Sequence, residues 1–168
     1  MAGAIARVWG IAGVVALLAQ ALVRLGPRAV EALQSELDVV QWIVLVGWCA
    51  FMVHAEGIKG FHRRFSPRVV ARAWTLERPS VLQLLLAPAY CMSLFHASRR
   101  GLVVAWSVLL GVVGLVAIVS RFSQPWRGIV DAGVVLGLGV GLLSILFYTV
   151  RAMGGTPPPI APDLPTQG

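Results

Sequence analysis

Eighteen residues, Ser80-Val81-Leu82-Gln83-Leu84-Leu85-Leu86-Ala87-Pro88-Ala89-Tyr90-Cys91-Met92-Ser93-Leu94-Phe95-His96-Ala97, decide between two membrane folds. If this segment crosses a bilayer the chain has five spanning helices; if it turns back it has four. A helix needs about 20 residues to cross a hydrocarbon core of about 30 Å, and the segment has nearly that length. Gln83, Pro88, Tyr90, Ser93 and His96 interrupt it, and Pro88 removes a backbone donor and kinks a helix. Length favours a full span, with Ser98-Arg99-Arg100-Gly101 as a tight link to the next helix. The expectation is therefore an all-α membrane protein, a bundle of five transmembrane helices. The alternative is four plus one re-entrant segment.

The rest of the chain makes the membrane setting plain. Of 168 residues, 58% are hydrophobic and only 12% charged, about half the charge that covers a soluble domain. That composition excludes an ordinary soluble enzyme, a disordered chain and a disulfide scaffold. Four further apolar runs lie at 8–25, 39–55, 102–120 and 129–150. They are continuous rather than alternating, so they are helices and not barrel strands. Arg7 and Ala19-Gln20-Ala21 imitate a cleaved signal, but the apolar run continues to Leu25 and reads as an uncleaved anchor. Cys49 and Cys91 lie inside apolar runs and read as small apolar residues. Residues 1–153 form one helical domain. The tail 154–168, with Thr156-Pro157-Pro158-Pro159, Pro162 and Pro165, reads as a disordered proline-rich extension.

The basic stretch between the second and third runs is the most distinctive. Lys59, Arg63, Arg64, Arg68, Arg72 and Arg78 make residues 56–79 a cytoplasmic loop by the positive-inside rule, in the four-span and five-span arrangements alike, with a cytoplasmic N-terminus. Ser66-Pro67 reads as a helix start. Beyond it, Val69, Val70, Ala73, Trp74 and Leu76 share one face and Arg68, Arg72, Thr75 and Arg78 the other. This predicts an amphipathic helix lying in the interface, with Lys59, Arg63, Arg64, Arg68 and Arg72 on anionic lipid headgroups or on a partner. Asp38 is placed to cap the second helix.

Ionisable groups inside spans are expensive and are functional candidates by default. His54, Glu56, Arg127 and Asp131 form the candidate polar cluster, with Asp131 paired to Arg127 one turn earlier. Three histidines make haem the cofactor to consider; two axial ligands must share one depth, and His54 and His96 do so only if 80–97 turns back. No cofactor, no metal site and no catalytic residue is predicted. Gly133, Gly137 and Gly141 recur every four residues, as do small residues Ala6, Gly10 and Gly13 less regularly in the first helix, and predict close helix packing within or between chains. Gly111 and Gly114 mark the fourth run similarly. Trp9, Trp42 and Trp126 lie near predicted helix ends as interface anchors, while Trp48 and Trp106 lie deeper and are expected to pack inside the bundle.

Two stretches, Glu56–Ala73 and Gln124-Pro125-Trp126-Arg127-Gly128-Ile129-Val130-Asp131-Ala132-Gly133, resemble an uncharacterised family of small multi-pass inner-membrane proteins of proteobacteria. The resemblance covers most of the chain except the proline tail. It implies a bacterial inner-membrane location and carries no activity, ligand or catalytic residue. The functional expectation is a non-enzymatic scaffold or accessory subunit that meets the bilayer, anionic headgroups, and a homo-oligomeric or other membrane-protein partner. The alternatives are a small oligomeric transporter or channel component with a path near Asp131 and His54, and a haem or redox protein. Nucleic acid is not an expected partner.

Overall fold

The computed structural model describes residues 1–165 and is all-helical there. Four helical stretches, Ala2–Gln34, Val39–Trp74, Arg99–Val119 and Trp126–Met153, are long and apolar enough to cross a membrane. The first is α1 (Ala2–Gln34). The second is one unbroken rod of three parts: α2 (Val39–Met52), a π-helical segment (Val53–Phe65) and α3 (Ser66–Trp74). Two short helices follow, α4 (Val81–Leu85) and α5 (Ala87–Cys91), then α6 (Arg99–Val119) and α7 (Trp126–Met153).

Local chemistry explains the ends. Asp38 caps α2: its carboxylate accepts the Gln41 N–H at 2.7 Å, and the Gln41 side chain accepts the Asp38 N–H at 3.0 Å, satisfying two orphan donors reciprocally. Ser80 and Gln83 repeat the device at α4. Ser98 accepts the Gly101 N–H at 3.0 Å and starts α6.

Two expectations fail on the second rod. Residues 56–65 are not a loop: they are π-helical and continue without a break into α3. Ser66 has helical dihedrals, φ −60° and ψ −47°, so it is not an N-cap. Pro67 has no N–H to give, and the change from i→i+5 to i→i+4 bonding falls beside it, where a missing donor is tolerated. The segment 66–74 is not an interfacial helix either. Ser66, Pro67, Val69, Val70, Ala71, Arg72 and Ala73 are all buried, and α3 packs on α1, α5 and α7.

Segment 80–97 does not form a fifth spanning helix. The helix breaks at Leu86 (φ −103°, ψ 29°), restarts with Pro88 in the first turn of α5, and ends in turns where Ser93 and His96 have φ of 62° and 55°. Positive φ is unfavourable for side-chain-bearing residues, and both sit where the chain reverses. The segment goes in along α1 and comes out again. Added Cβ atoms at Gly3, Gly10 and Gly13 would strike the carbonyls of Leu76 and Glu77, the Cys91 sulfur and the Pro88 ring respectively. Pro88 therefore marks the deepest contact on α1. Phe95 and His96 have returned to Arg72, near the end of α3.

The bundle thus has two ends. One holds Met1, Trp74, Ser98 and Met153 and is called the N-terminal end. The other, the distal end, holds Gln34, Asp38, Val119 and Trp126, where Gln124 donates to Glu31 at 3.0 Å. The core joins α1, α3, α5 and α7 through Ala6, Val14, Val69, Ala73, Ala87, Tyr90, Cys91 and Ile145, with a smaller cluster of Ala29, Leu45, Ile129 and Ala132 at the distal end. α7 is the central helix, packed on α1, α2, α3 and the π segment. Among the described residues α6 packs along none of the other helices. Its only buried residues are Gly101 and Val119, at its two ends. Trp106 is 48% exposed rather than inside the bundle, its indole donating to the Leu94 carbonyl at 3.0 Å. Trp48 does pack inside, donating to the Val130 carbonyl at 3.1 Å.

Candidate functional site

The glycines of α7 organise the inner face. A Cβ on Gly133 would collide with the Trp48 indole, one on Gly137 would lie 3.0 Å from a Glu56 carboxylate oxygen, and one on Gly141 would lie 2.6 Å from the Phe61 ring. The partners advance by four to five residues, 48, 52, 56 and 61, against a glycine every four. The π segment supplies the wider step: i→i+5 bonding keeps Gly57, Phe61, His62 and Ser66 on the side facing α7. His62 Nδ1 lies 3.0 Å from Ser144 Oγ, and Ser66 Oγ donates to the Gly141 carbonyl at 3.3 Å.

The same winding sorts the charges. His54, Lys59 and the adjacent pair Arg63 and Arg64 recur at steps of four to five and are all exposed, on the side away from α7. Glu56 is half-buried and one of its oxygens is shielded without a hydrogen-bond partner. The expected cluster of His54, Glu56, Arg127 and Asp131 is not assembled. His54 points outward. Glu56 sits against Gly137, about 9 Å along α7 from Asp131 by helical rise. Asp131 is 4% exposed with an unpartnered oxygen, and Arg127 turns away to the Ser120 carbonyl at 3.4 Å instead of pairing with it. Asp131 and Arg127 lie at the distal end, as a returning segment 80–97 requires. Asp131 is buried and His54 exposed, so the two side chains do not face one another.

The most elaborate polar arrangement belongs to a residue that the sequence assigned to lipid headgroups or a partner. Arg72 is 0% exposed. Its Nε donates to the Tyr90 carbonyl at 2.6 Å, Nη1 to those of Pro162 and Asp163 at 3.1 and 2.9 Å, and Nη2 to those of Phe95 and His96 at 3.1 and 3.2 Å. A guanidinium has five N–H donors in a rigid fork, and here five carbonyls take them. The Tyr90 ring lies 4.2 Å beneath the guanidinium carbon, and Tyr90 Oη is 2.8 Å from Thr75 Oγ1. Buried positive charge is tolerable only when its donors are met. Here the reversal after α5 and the proline tail supply what Arg72 needs.

The tail follows a defined course through residue 165, so its expected disorder does not hold there; residues 166–168 lie outside the described residues. Asp163 completes the arrangement, its carboxylate accepting from Ser98 Oγ at 2.6 Å at the start of α6, where negative charge is favoured. A cleft of about 530 Å³ opens between the tail and the ends of α3 and α7, lined by Ala71, Trp74, Ala152 and the prolines. Its lining offers no nucleophile, acid or base.

His96 returns to the Arg72 end, whereas His54 lies roughly 25 Å back along the second rod by helical rise. The two cannot serve as axial ligands of one haem. Among the described residues no three His, Cys, Asp or Glu side chains gather as a metal site. No signal in the α-helical period points to Arg72; its one mark in the sequence is a lone arginine enclosed by Val69, Val70, Ala71 and Ala73. No family model, curated protein or solved structure matches the chain.

Proposed function

We propose that this protein is a non-enzymatic accessory or scaffold subunit of the bacterial inner membrane, with its N-terminal end in the cytoplasm. The observation that carries this reading is α6. It is 21 residues long, apolar all round from Leu102 onward except at Ser107, and among the described residues it packs along no other helix of its own chain. A helix that crosses a membrane apart from its bundle contributes nothing to that bundle's packing. Its open small-residue positions, Gly111 and Gly114, have nothing within 4 Å of an added Cβ, and such positions let a neighbouring helix approach closely. Arg7, Arg78, Arg99, Arg100 and Arg151 flank the N-terminal end against Arg24, Arg28, Arg121 and Arg127 at the distal end, and the positive-inside rule favours the N-terminal end as the cytoplasmic one.

The test is tryptophan substitution at Gly111 and Val108, read by native electrophoresis of gently solubilised membranes. Both variants are expected to release the chain from a larger complex without lowering its thermal stability, because neither position packs on its own bundle. Unaltered migration in both variants would show that α6 meets only lipid.

A further inference from the structure

We infer that the outward face of the π segment is a docking surface for a partner's transmembrane helix that carries buried carboxylates. His54, Lys59, Arg63 and Arg64 form one exposed file on this face. Their depth follows from the inward contacts of the same segment: Glu56 lies on Gly137, Phe61 on Gly141, and His62 on Ser144. α7 carries no charged residue from Ala132 to Val150. Lys59 therefore lies level with the middle of an uncharged stretch, about 15 Å along the helix axis from Arg151. Cations at this depth are costly toward lipid tails and are found facing protein or water, paired with acids.

Charge complementarity selects the occupant. Lipid phosphates lie at the boundary, beyond the depth of Lys59. A second copy of this chain has no acid to offer there: Glu31, Glu36 and Asp38 lie at the distal end, Glu77 and Asp163 at the N-terminal end, and Glu56 and Asp131 turn inward. Two copies facing each other through this file would set cation against cation. An Asp or Glu within an apolar helix of another protein meets both the depth and the sign. Lys59 can point-pair with it, and the Arg63 and Arg64 forks can bind it bidentately.

This face rests on the accessory-subunit reading above but uses a different surface from α6, so the two can fail separately. The experiment places the photo-cross-linking residue p-benzoylphenylalanine at position 59 or 63 of the full chain in native membranes. Adducts are sequenced by mass spectrometry. The expected product is one protein adduct whose cross-linked peptide is an apolar run containing Asp or Glu, lost when Arg63→Glu and Arg64→Glu are combined with the probe at 59. An adduct with lipid alone, with a second copy of the chain, or with a peptide lacking an acid would overturn the proposal, as would no adduct at either position. Survival of the adduct in the α6 tryptophan variants would separate this face from α6.

Discussion

Arg72→Ala is expected to destabilise the protein by on the order of 4 kcal/mol, because it strips donors from five carbonyls at once, that of Tyr90 in a buried bond and the other four in part-buried ones. Hydrogen bonds to a charged group each contribute about 1.5–3 kcal/mol, and removing one member of a buried charged arrangement typically costs about 3–5. The individual terms do not add, since the tail and the reversal after α5 can relax toward water once released. For a chain of this size the loss corresponds to a fall in Tm of roughly 8–16 °C, measured by thermal unfolding in detergent. Arg72→Lys keeps the charge but has three donors and no planar fork, so about half of that loss is expected. Arg64→Ala, at an exposed position, is the control and should leave Tm nearly unchanged. Equal shifts for Arg72→Ala and Arg64→Ala would show that the carbonyl cage does not hold the N-terminal end together.

Gly128→Leu should have an effect of comparable size at the distal end. A Cβ on Gly128 would strike the Ala32 methyl group, and it would lie 2.5 Å from the Arg28 carbonyl oxygen. Neither neighbour can swing aside, since one is a short side chain and the other is backbone of α1. Overpacking of a close contact costs about 1–3 kcal/mol and more when backbone must move, so a loss of at least about 3 kcal/mol is expected. Gly111→Ala has the opposite sign. Nothing lies near Gly111, and removing a glycine from a helix interior gains about 0.5–1 kcal/mol. Thermal unfolding of the two variants side by side checks both signs; a stabilised Gly128 variant would contradict the α1–α7 contact. Gly137 shows why such tests need the structure. A glycine repeat alone reads equally as an interface between copies, yet Gly137 is occupied by Glu56 of its own chain.

Four of the helices were legible because hydrophobicity and length alone identify them, and Asp38 was legible because capping is local chemistry. The face-sorting of residues 54–66 was missed for one physical reason. Sequence reading assumed the α-helical period. At that period residues 56–65 look like a charged loop. At the π-helical step, Gly57, Phe61, His62 and Ser66 fall on one side and His54, Lys59, Arg63 and Arg64 on the other, and the stretch becomes a two-faced helix. The reversal after α5 was visible only as an alternative, because Pro88 and the polar residues around it weaken a span without forbidding one. Arg72 was hidden for a different reason. Its partners are main-chain carbonyls 18 to 91 residues away, and carbonyls leave no trace in a sequence. The basic residues were singled out as a group, but burial divides them: Lys59, Arg63 and Arg64 are exposed, Arg68 is half-buried and Arg72 is fully enclosed.

The four-crossing arrangement turns on whether the chain leaves residues 80–97 on the side from which it entered. Single cysteines at Arg78, Arg99 and Arg121, all exposed positions, can be introduced into the full chain with Cys49 and Cys91 replaced by alanine. A membrane-impermeant maleimide is then applied from each side of oriented vesicles. Arg78→Cys and Arg99→Cys should label from the same, cytoplasmic side and Arg121→Cys from the other. Labelling of Arg78→Cys and Arg99→Cys from opposite sides would mean that 80–97 crosses after all, and would contradict the fold described here.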